Sequence, residues 1–266
     1  MRSSTTSRLN FYLAFAALLL SLPSCDSPSG RALEETFEEF YTIEPTANVT
    51  IKNADGVVRV YGSDANEMWV QAIKRAYTRQ RLKRIAINVS VQPGLVSIET
   101  DFPPKPKRSL RDRSGTVEYT IIVPQTASIS QLEVANGEVV VEGMYGQTVL
   151  ARLGNGRMFG HNCFSNAQFT VDRGIATLAY DWWEPGAFTI RADIAHGSAL
   201  AFLPGNAAFR LAAEAPHGTI ASDFPAKGVP DGGIIRKIDI ATGSPPNASI
   251  SLRVEDGNIR VEKAYP

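Results

Sequence analysis

Apolar and polar residues alternate along most of the chain, in runs of about five to eight residues broken by Asn-Gly, Asp-Gly or a similar pair. A period of two places successive side chains on opposite faces of a β-strand, and such pairs are typical of turns. No long helical period follows residue 34. The pattern therefore predicts an all-β domain. Seven segments repeat the order strand, X-Gly, strand: 49–62, 131–143, 149–160, 169–180, 188–204, 209–224 and 250–262.

The glycines of these segments recur at a nearly constant interval. Those at positions 137, 156, 174, 197 and 218 are 19, 18, 23 and 21 residues apart, and the steps from 218 to 257 and from 56 to 137 are 39 and 81. The longer steps are close to two and four of the shorter ones. A period near 20 residues is typical of a solenoid, in which each coil buries its apolar face against the next.

We therefore predict a single-domain β-solenoid, similar to a right-handed parallel β-helix, with about ten coils of ~20 residues. Coils spaced as neighbouring strands would make it on the order of 50 Å long. A β-sandwich is the alternative, because Asn-Gly is also the strongest short signal for a β-hairpin.

The predicted repetitive domain spans residues 34–266. Its least repetitive part is 71–115, which contains a strand pair around Pro93-Gly94. A solenoid exposes strand edges at its two ends, and such edges need cover. The charged and aromatic segment 35–43 is predicted to cover the N-terminal end.

Residues 1–24 have the layout of a secretory signal, with Arg2 and Arg8 before an apolar run of about a dozen residues that ends at Leu22. That run is too short to span a bilayer as a permanent helix. We predict that the signal is removed and takes no part in the fold.

The residues Leu22-Pro23-Ser24-Cys25 resemble a lipobox, in which the cysteine is acylated and becomes the new N-terminus. Pro23 departs from the small or β-branched residue usual at its place. We predict lipidation of Cys25, since several acyl chains hold a protein stably on a membrane; simple secretion is the alternative. Residues 25–33 then form a short flexible tether to the membrane.

The charge balance and the cysteine content argue against several classes of function. The 27 basic residues balance 27 acidic ones, so no strong field favours nucleic acid or an acidic substrate. Cys163 has no partner if Cys25 carries lipid, which argues against a disulfide framework and a cysteine-based metal cluster. Buried packing is the role predicted for Cys163, and no cofactor is predicted.

The residues directly before the repeat glycines form one column: Asp55, Asn136, Asn155, Arg173, His196, His217 and Asp256. Asn and Asp suit turns, so a stacked ladder that satisfies its own hydrogen bonds is the structural interpretation. The functional interpretation is a metal bound by His196 and His217, one coil apart, with Asp193 or Asp223 nearby. Zinc needs three or four ligands in a fixed geometry. No metal site is predicted, and the two histidines stay candidates only.

Trp182 and Trp183 mark the densest aromatic segment. Adjacent strand residues point to opposite faces, so at most one indole enters the core. We predict that the other is exposed. Shielding of a turn or coil edge is the favoured role for it, and contact with a sugar or a protein partner is the alternative. Asp172, Asp181 and Glu184 are the nearby carboxylates that a glycosidase would use, but nothing in the sequence marks a pair. No catalytic residue is predicted.

Residues 71–113 hold 11 cations and 3 acids, with the basic groups between Lys74 and Arg113. On a protein tethered to a membrane, such a patch would attract anionic head groups at about 1 kcal/mol per cation. The alternative is a charged edge that prevents strand pairing.

Several short motifs follow one another in a fixed order: an aromatic first strand, Asp55-Gly56, Tyr61-Gly62, the run 117–124, the run 199–204 and the closing 256–259. This order, over nearly all of 35–262, resembles the bacterial "putative adhesin" domains of unknown function, which are related to the head-GIN domain. The resemblance implies a β-helix-like fold on exported, often lipid-anchored proteins. It implies no catalytic residues.

We therefore expect a non-enzymatic, lipid-anchored protein of the bacterial cell envelope that faces the periplasm or the cell surface. Its expected role is adhesion, binding or scaffolding, with an envelope protein or a glycan as partner. One alternative is a carbohydrate-active β-helix enzyme. Another is an envelope-stress sensor that acts through a membrane partner.

Overall fold

The computed structural model describes residues 31–104, 115–226, 234–244 and 247–264. The signal, Cys25 and the basic residues 105–113 lie outside these ranges, so the interpretations of them stay predictions. Within these ranges no helix combines the length and apolar character that crossing a membrane requires. The elements are β1 (Leu33–Thr42), β2 (Asn48–Ser63), β3 (Glu67–Ala76), α1 (Arg79–Lys83), β4 (Ala86–Gln92), β5 (Leu95–Asp101), β6 (Thr116–Pro124), β7 (Ser128–Glu142), β8 (Thr148–His161), β9 (Asn166–Ala179), β10 (Thr189–Pro204), β11 (Phe209–Glu214), β12 (Ile220–Ser222), β13 (Lys237–Thr242) and β14 (Ala248–Ala264).

The fourteen described strands form one sheet. Its path runs β1-β3-β6-β2-β7-β8-β9-β10-β14-β11-β13, while β12 pairs with β14 and β4 pairs with β5, which in turn pairs with β2. The path begins at β1 and ends at β13, so the sheet is open. The prediction of an all-β domain is confirmed.

A column of glycines crosses the long parallel strands of this sheet. The pairs β2–β7, β7–β8, β8–β9, β9–β10 and β10–β14 place the glycines at 56, 137, 156, 174, 197 and 257 directly opposite one another. We call these six residues the glycine line. Each has a φ between +135° and +142°, a conformation that side chains rarely allow.

The glycine line also has no room for side chains. An ideal Cβ at positions 137, 156, 174, 197 or 257 would lie 1.7–1.9 Å from the carbonyl oxygen of the neighbouring glycine in the line. At Gly56 the obstacle is the carbonyl oxygen of Val117, at 2.1 Å. Since backbone atoms block every position, only glycine permits this close approach of consecutive strands.

The burial pattern of each long strand changes phase at its glycine. In β7 the buried residues nearest the glycine are Leu132 and Val134 before it and Val139 and Val141 after it. Within each arm the spacing is two, but across the glycine it is five. Because all four residues belong to one hydrophobic core, the strand must bend at the glycine for both arms to face that core.

The N-terminal part differs from the predicted stack. Gly56 and Gly137 are direct neighbours, so the expectation that 81 residues between them add four coils is wrong. The intervening chain instead forms the antiparallel strands β3 and β6 and the hairpin β4–β5. The predicted strand pair around Pro93-Gly94 is this hairpin. The segment predicted to cover the edge lies mostly in β1, which pairs antiparallel with β3 and is itself the edge strand.

At the other end the spatial order departs from the chain order. The last strand, β14, lies between β10 and β11 and pairs in parallel with both. His217 therefore forms its bridge with Asp256, and His196 is opposite Asp256 from the other side. The expectation that His196 and His217 are neighbours is wrong, because Asp256 separates them.

Replacement of one glycine in the line should cost far more than replacement of a glycine outside it. We expect Gly156→Ala to lower the free energy of unfolding by about 3 kcal/mol or more, because its Cβ would meet backbone that cannot move alone. Gly205→Ala is the matched control, since the nearest atom to its Cβ is a lysine side-chain carbon at 3.8 Å. Urea unfolding measures both, and equal midpoints would contradict the requirement for glycine.

Candidate ligand-binding site

Parallel register brings the loops after β7, β8 and β9 side by side, because these strands end at paired positions. The loops carry aromatic rings that pack on one another. The ring centroid of Phe164 lies 5.4 Å from those of Tyr145 and Tyr180 and 6.0 Å from that of Trp182. We define the aromatic cluster as Tyr145, Phe164, Tyr180, Trp182, Trp183, Phe188, Phe209 and Phe224.

The two adjacent tryptophans have different environments. Trp183 packs against the core, with its ring centroid 5.3 Å from that of Tyr180, and its Nε1 donates a hydrogen bond to the Ala208 carbonyl at 3.1 Å. Trp182 is 46% exposed, and its Nε1 donates to Glu184 Oε1 at 3.1 Å. One indole is thus packed and the other exposed, as predicted. The reason differs, since both lie in the loop between β9 and β10 and not in a strand.

Trp182 and Trp183 line a cleft of about 680 Å³. Its other described walls come from the loop after β10 and from β14, and its polar lining residues are Asp181, Asn206, Asn247 and Lys263. The cleft thus combines exposed aromatic surface with a few hydrogen-bonding groups, which is the usual composition of a small-ligand site.

A histidine bridge holds one wall of the cleft. His161 Nε2 lies 2.9 Å from Asp181 Oδ2, and its Nδ1 lies 3.2 Å from Glu142 Oε1. Asn162, in the left-handed region at φ 48°, accepts a hydrogen bond from the Asp181 backbone N–H at 3.0 Å. The two imidazole nitrogens point in opposite directions, so the two carboxylates cannot share one metal ion with them. The bridge positions the loop that carries Trp182.

The sequence interpretation missed several residues of this site. His161 and Glu142 become neighbours only through the pairing of β7 with β8. Asn247 and Lys263 reach the cleft because β14 lies beside β10. One local signal in the sequence could have indicated the site. A polar residue at the end of a strand is followed by an aromatic residue in the next loop, and this arrangement occurs after both β7 and β8.

The turn column forms two short ladders. Asn136 Nδ2 donates to Asp55 Oδ1 at 2.8 Å, and Asn155 Nδ2 donates to Asn136 Oδ1 at 3.1 Å. Further along, His196 Nδ1 lies 2.9 Å from Asp256 Oδ2. These contacts support the structural interpretation of the column.

The structure supports the interpretation of His196 and His217 as metal ligands less than it supports the hydrogen-bonded ladder. Asp193, a candidate neighbour of the histidines, forms an ion pair with Arg191 at 2.6 Å. Asp223 accepts from the backbone N–H of Lys263 at 3.2 Å. In the described part of the chain, no three His, Cys, Asp or Glu side chains are placed to hold a metal ion.

The candidate carboxylates are dispersed. Asp172 forms an ion pair with Arg152 at 3.3 Å and lines a separate groove of about 730 Å³. Glu184 accepts from Trp182, and Asp181 is held by His161. Of these three, only Asp181 lies among the described residues that line the Trp182 cleft.

Two described cations of the basic stretch, Lys74 and Arg75, contact the protein itself. Lys74 is nearly buried and binds Glu35 at 2.7 Å and the Ile85 carbonyl at 3.3 Å. Arg75 pairs with Glu34 and Glu118 across the antiparallel strands. These groups stabilise the N-terminal edge, and they support the interpretation as a charged edge.

Cys163 is fully buried beneath the aromatic cluster. Its Sγ lies 3.4 Å from the Val141 carbonyl oxygen, and Tyr180 donates to the Cys163 carbonyl at 2.9 Å. Burial raises the pKa of the thiol to about 12. The structure thus places Cys163 in the packing role that the sequence predicts.

The chain is similar to several solved structures of bacterial proteins. No family model and no curated protein matches the chain. Among solved structures, a "putative cell adhesion protein" from Clostridium sporogenes is 14% identical, covering 86% of this chain and all of that one, with a TM-score of 0.49. A "putative adhesin" from Bacteroides fragilis (86% and 97% covered) and a "putative lipid binding protein" from Parabacteroides distasonis (87% and 97%) are each 9% identical, with TM-scores of 0.30. The adhesin names agree with the family resemblance of the sequence, and likeness at this level carries no argument about the ligand.

The two tryptophans should differ in their effect on stability. We expect Trp183→Ala to lower the free energy of unfolding by about 3–5 kcal/mol, because it removes packing from the core. Trp182→Ala should lower it by less than Trp183→Ala does, since Trp182 is 46% exposed whereas Trp183 packs against the core. Urea unfolding followed by circular dichroism measures both, and a larger loss for Trp182→Ala would contradict the assignment.

Cys163 should be unreactive in the folded protein. At pH 8 a thiol of pKa about 12 is thiolate in roughly one molecule in ten thousand. In a Cys25→Ser chain we expect no reaction with a disulfide reagent until urea is added. Its stabilising contribution should hold below pH 9.0, the ordinary pKa of the unfolded thiol, and fall as the pH rises toward 12. Rapid labelling of the native protein would contradict its burial.

Proposed function

We propose that the chain is a non-enzymatic binding protein of the bacterial cell envelope, with a role in adhesion or scaffolding. The observation that carries the proposal is Trp182, an exposed indole in a cleft and fixed by its hydrogen bond to Glu184. A large aromatic surface held in one orientation loses little entropy on binding. Such residues dominate the binding energy of many recognition sites.

The proposal includes a β-solenoid that presents this cleft. Parallel pairing in register, a bend at every glycine of the line and one shared core all support successive coils. In a solenoid, loops at one side of successive coils lie in a row, as those with the aromatic cluster do. A β-sandwich is the alternative architecture.

The proposed position of the protein rests on its N-terminal sequence. Lipidated Cys25 would tether the domain to the membrane through residues 25–33. Cys163 is buried and supports this assignment, since it cannot serve as the acylated residue in the folded domain.

A carbohydrate-active enzyme and an envelope-stress sensor are the alternative functions. A carbohydrate-active enzyme needs a pair of carboxylates across the bound sugar, and in the Trp182 cleft the described lining contributes only Asp181, already engaged by His161. An envelope-stress sensor would need a stoichiometric membrane partner.

Lipid attachment is tested by metabolic labelling with a fatty-acid analogue in cells that express the full chain. We expect the wild type to be labelled and to fractionate with membranes, and Cys25→Ala to lose both properties. Cys163→Ala is the control and should be labelled like the wild type. Equal labelling of Cys25→Ala would refute the anchor.

The binding role is tested by sedimentation of the purified full chain with total envelope material, which contains glycans and proteins, with Cys25→Ser in every variant so that the proposed lipid anchor does not itself retain the chain. We expect retention of the wild type and an approximately tenfold loss for Trp182→Ala. Ile175→Ala removes another exposed apolar side chain, 39% accessible and outside the cleft lining, and should behave like the wild type. Equal retention of the wild type and both variants would contradict the proposed binding site.

A further inference from the structure

The polar groups of the Trp182 cleft differ in how far the protein itself satisfies them. Asn206 and Asn247 are exposed, and their side chains make no hydrogen bond to described residues. Each amide offers both a donor and an acceptor. Two such groups beside an exposed indole suit a ligand with hydroxyl groups on an otherwise apolar ring, which is the chemistry of a sugar.

Asp181 adds a further hydrogen-bond acceptor to the cleft. Its Oδ2 is within hydrogen-bond distance of His161, at 2.9 Å, and of Asn162, at 3.4 Å. Its Oδ1 has no partner among the described residues. A carboxylate fixed through one oxygen presents the other in a defined direction, and it can accept a bond from a sugar hydroxyl.

Lys263 is the one lysine or arginine among the described residues that line the cleft. Its Nζ lies 5.5 Å from the ring centroid of Phe224, and it forms no ion pair with a described carboxylate. Most other described cations of the sheet surface are paired, as Arg152 and Arg253 illustrate. An unpaired ammonium at the wall of a cleft attracts an anionic ligand group.

We infer that the Trp182 cleft binds a sugar that carries an anionic group, stacked on Trp182 with its anion at Lys263. The inference rests on the proposed binding function and names the ligand class for the same site. Either a carboxylate, as in a uronic acid, or a phosphate on the sugar supplies the anion. The cleft volume of about 680 Å³ lies within the range of small-ligand sites.

The test is calorimetric titration of the full chain with trigalacturonate and with a neutral oligogalactoside of the same length. We expect about fivefold tighter binding of the anionic ligand in 50 mM salt, and loss of that preference in 500 mM salt, where exposed charges are screened. Galactose 6-phosphate and galactose form the second pair of ligands. A preference for the phosphate, the carboxylate or both supports the inference and identifies the anion.

Variants separate stacking from charge. Lys263→Gln should remove the preference without changing binding of the neutral sugar, whereas Trp182→Ala should weaken both sugars about tenfold. Lys237→Gln, which changes the net charge equally at an exposed site in β13, should leave both affinities unchanged.

Two results would overturn the inference. One is equal binding of neutral and anionic sugars, or no sugar binding at all. The other is loss of Trp182-dependent retention when the envelope material is treated with protease, because the ligand would then be a protein. In both cases the proposed binding function survives if untreated envelope material still retains the wild type and not Trp182→Ala. The proposed binding function itself fails if untreated envelope material retains the wild type and Trp182→Ala equally.

Discussion

The whole structure depends on the close approach of backbones along the glycine line. At each of these positions the carbonyl oxygen of one strand occupies the space where the next strand would carry a Cβ. This contact fixes the register, because any shift by one residue would place a side chain against a backbone oxygen. It also fixes the bend, because the positive φ turns each strand so that both arms bury their apolar side chains in one core.

The candidate site follows from that register. Strands aligned at their glycines also end together, which places the loops after β7, β8 and β9 in a row. Phe164 contacts rings from the loops on both sides, and His161 links Glu142 with Asp181. The cleft therefore depends on the parallel register of these strands. Its aromatic wall packs on the same core to which the glycine line directs both arms of each strand.

The end of the chain shows how a regular pattern can mislead. Equal spacing suggested that segments follow one another in space as they do in sequence, yet β14 lies between β10 and β11. Parallel pairing requires only matching arms, and the closing segment pairs with β10 along nearly its whole length and with β11 and β12 over shorter stretches. This placement separates His196 from His217 and brings Lys263 to the cleft. The step from Gly56 to Gly137 misled for a similar reason, since a multiple of the period does not require that the chain between them forms coils.

The sequence by itself determined the alternation of buried and exposed residues in the strands, because that depends on neighbouring residues. The Asn-Gly and Asp-Gly pairs that indicated turns are instead bends inside continuous strands. The sequence also predicted that the Trp182-Trp183 pair would divide between solvent and core, but the strand alternation behind that prediction does not apply, because both residues lie in a loop. Only the tertiary structure decided which strands are adjacent, and so which polar groups surround Trp182. Asp181, Asn206 and Lys263 are separated along the chain, and the pairing of β10 with β9 on one side and with β14 on the other brings them to one cleft.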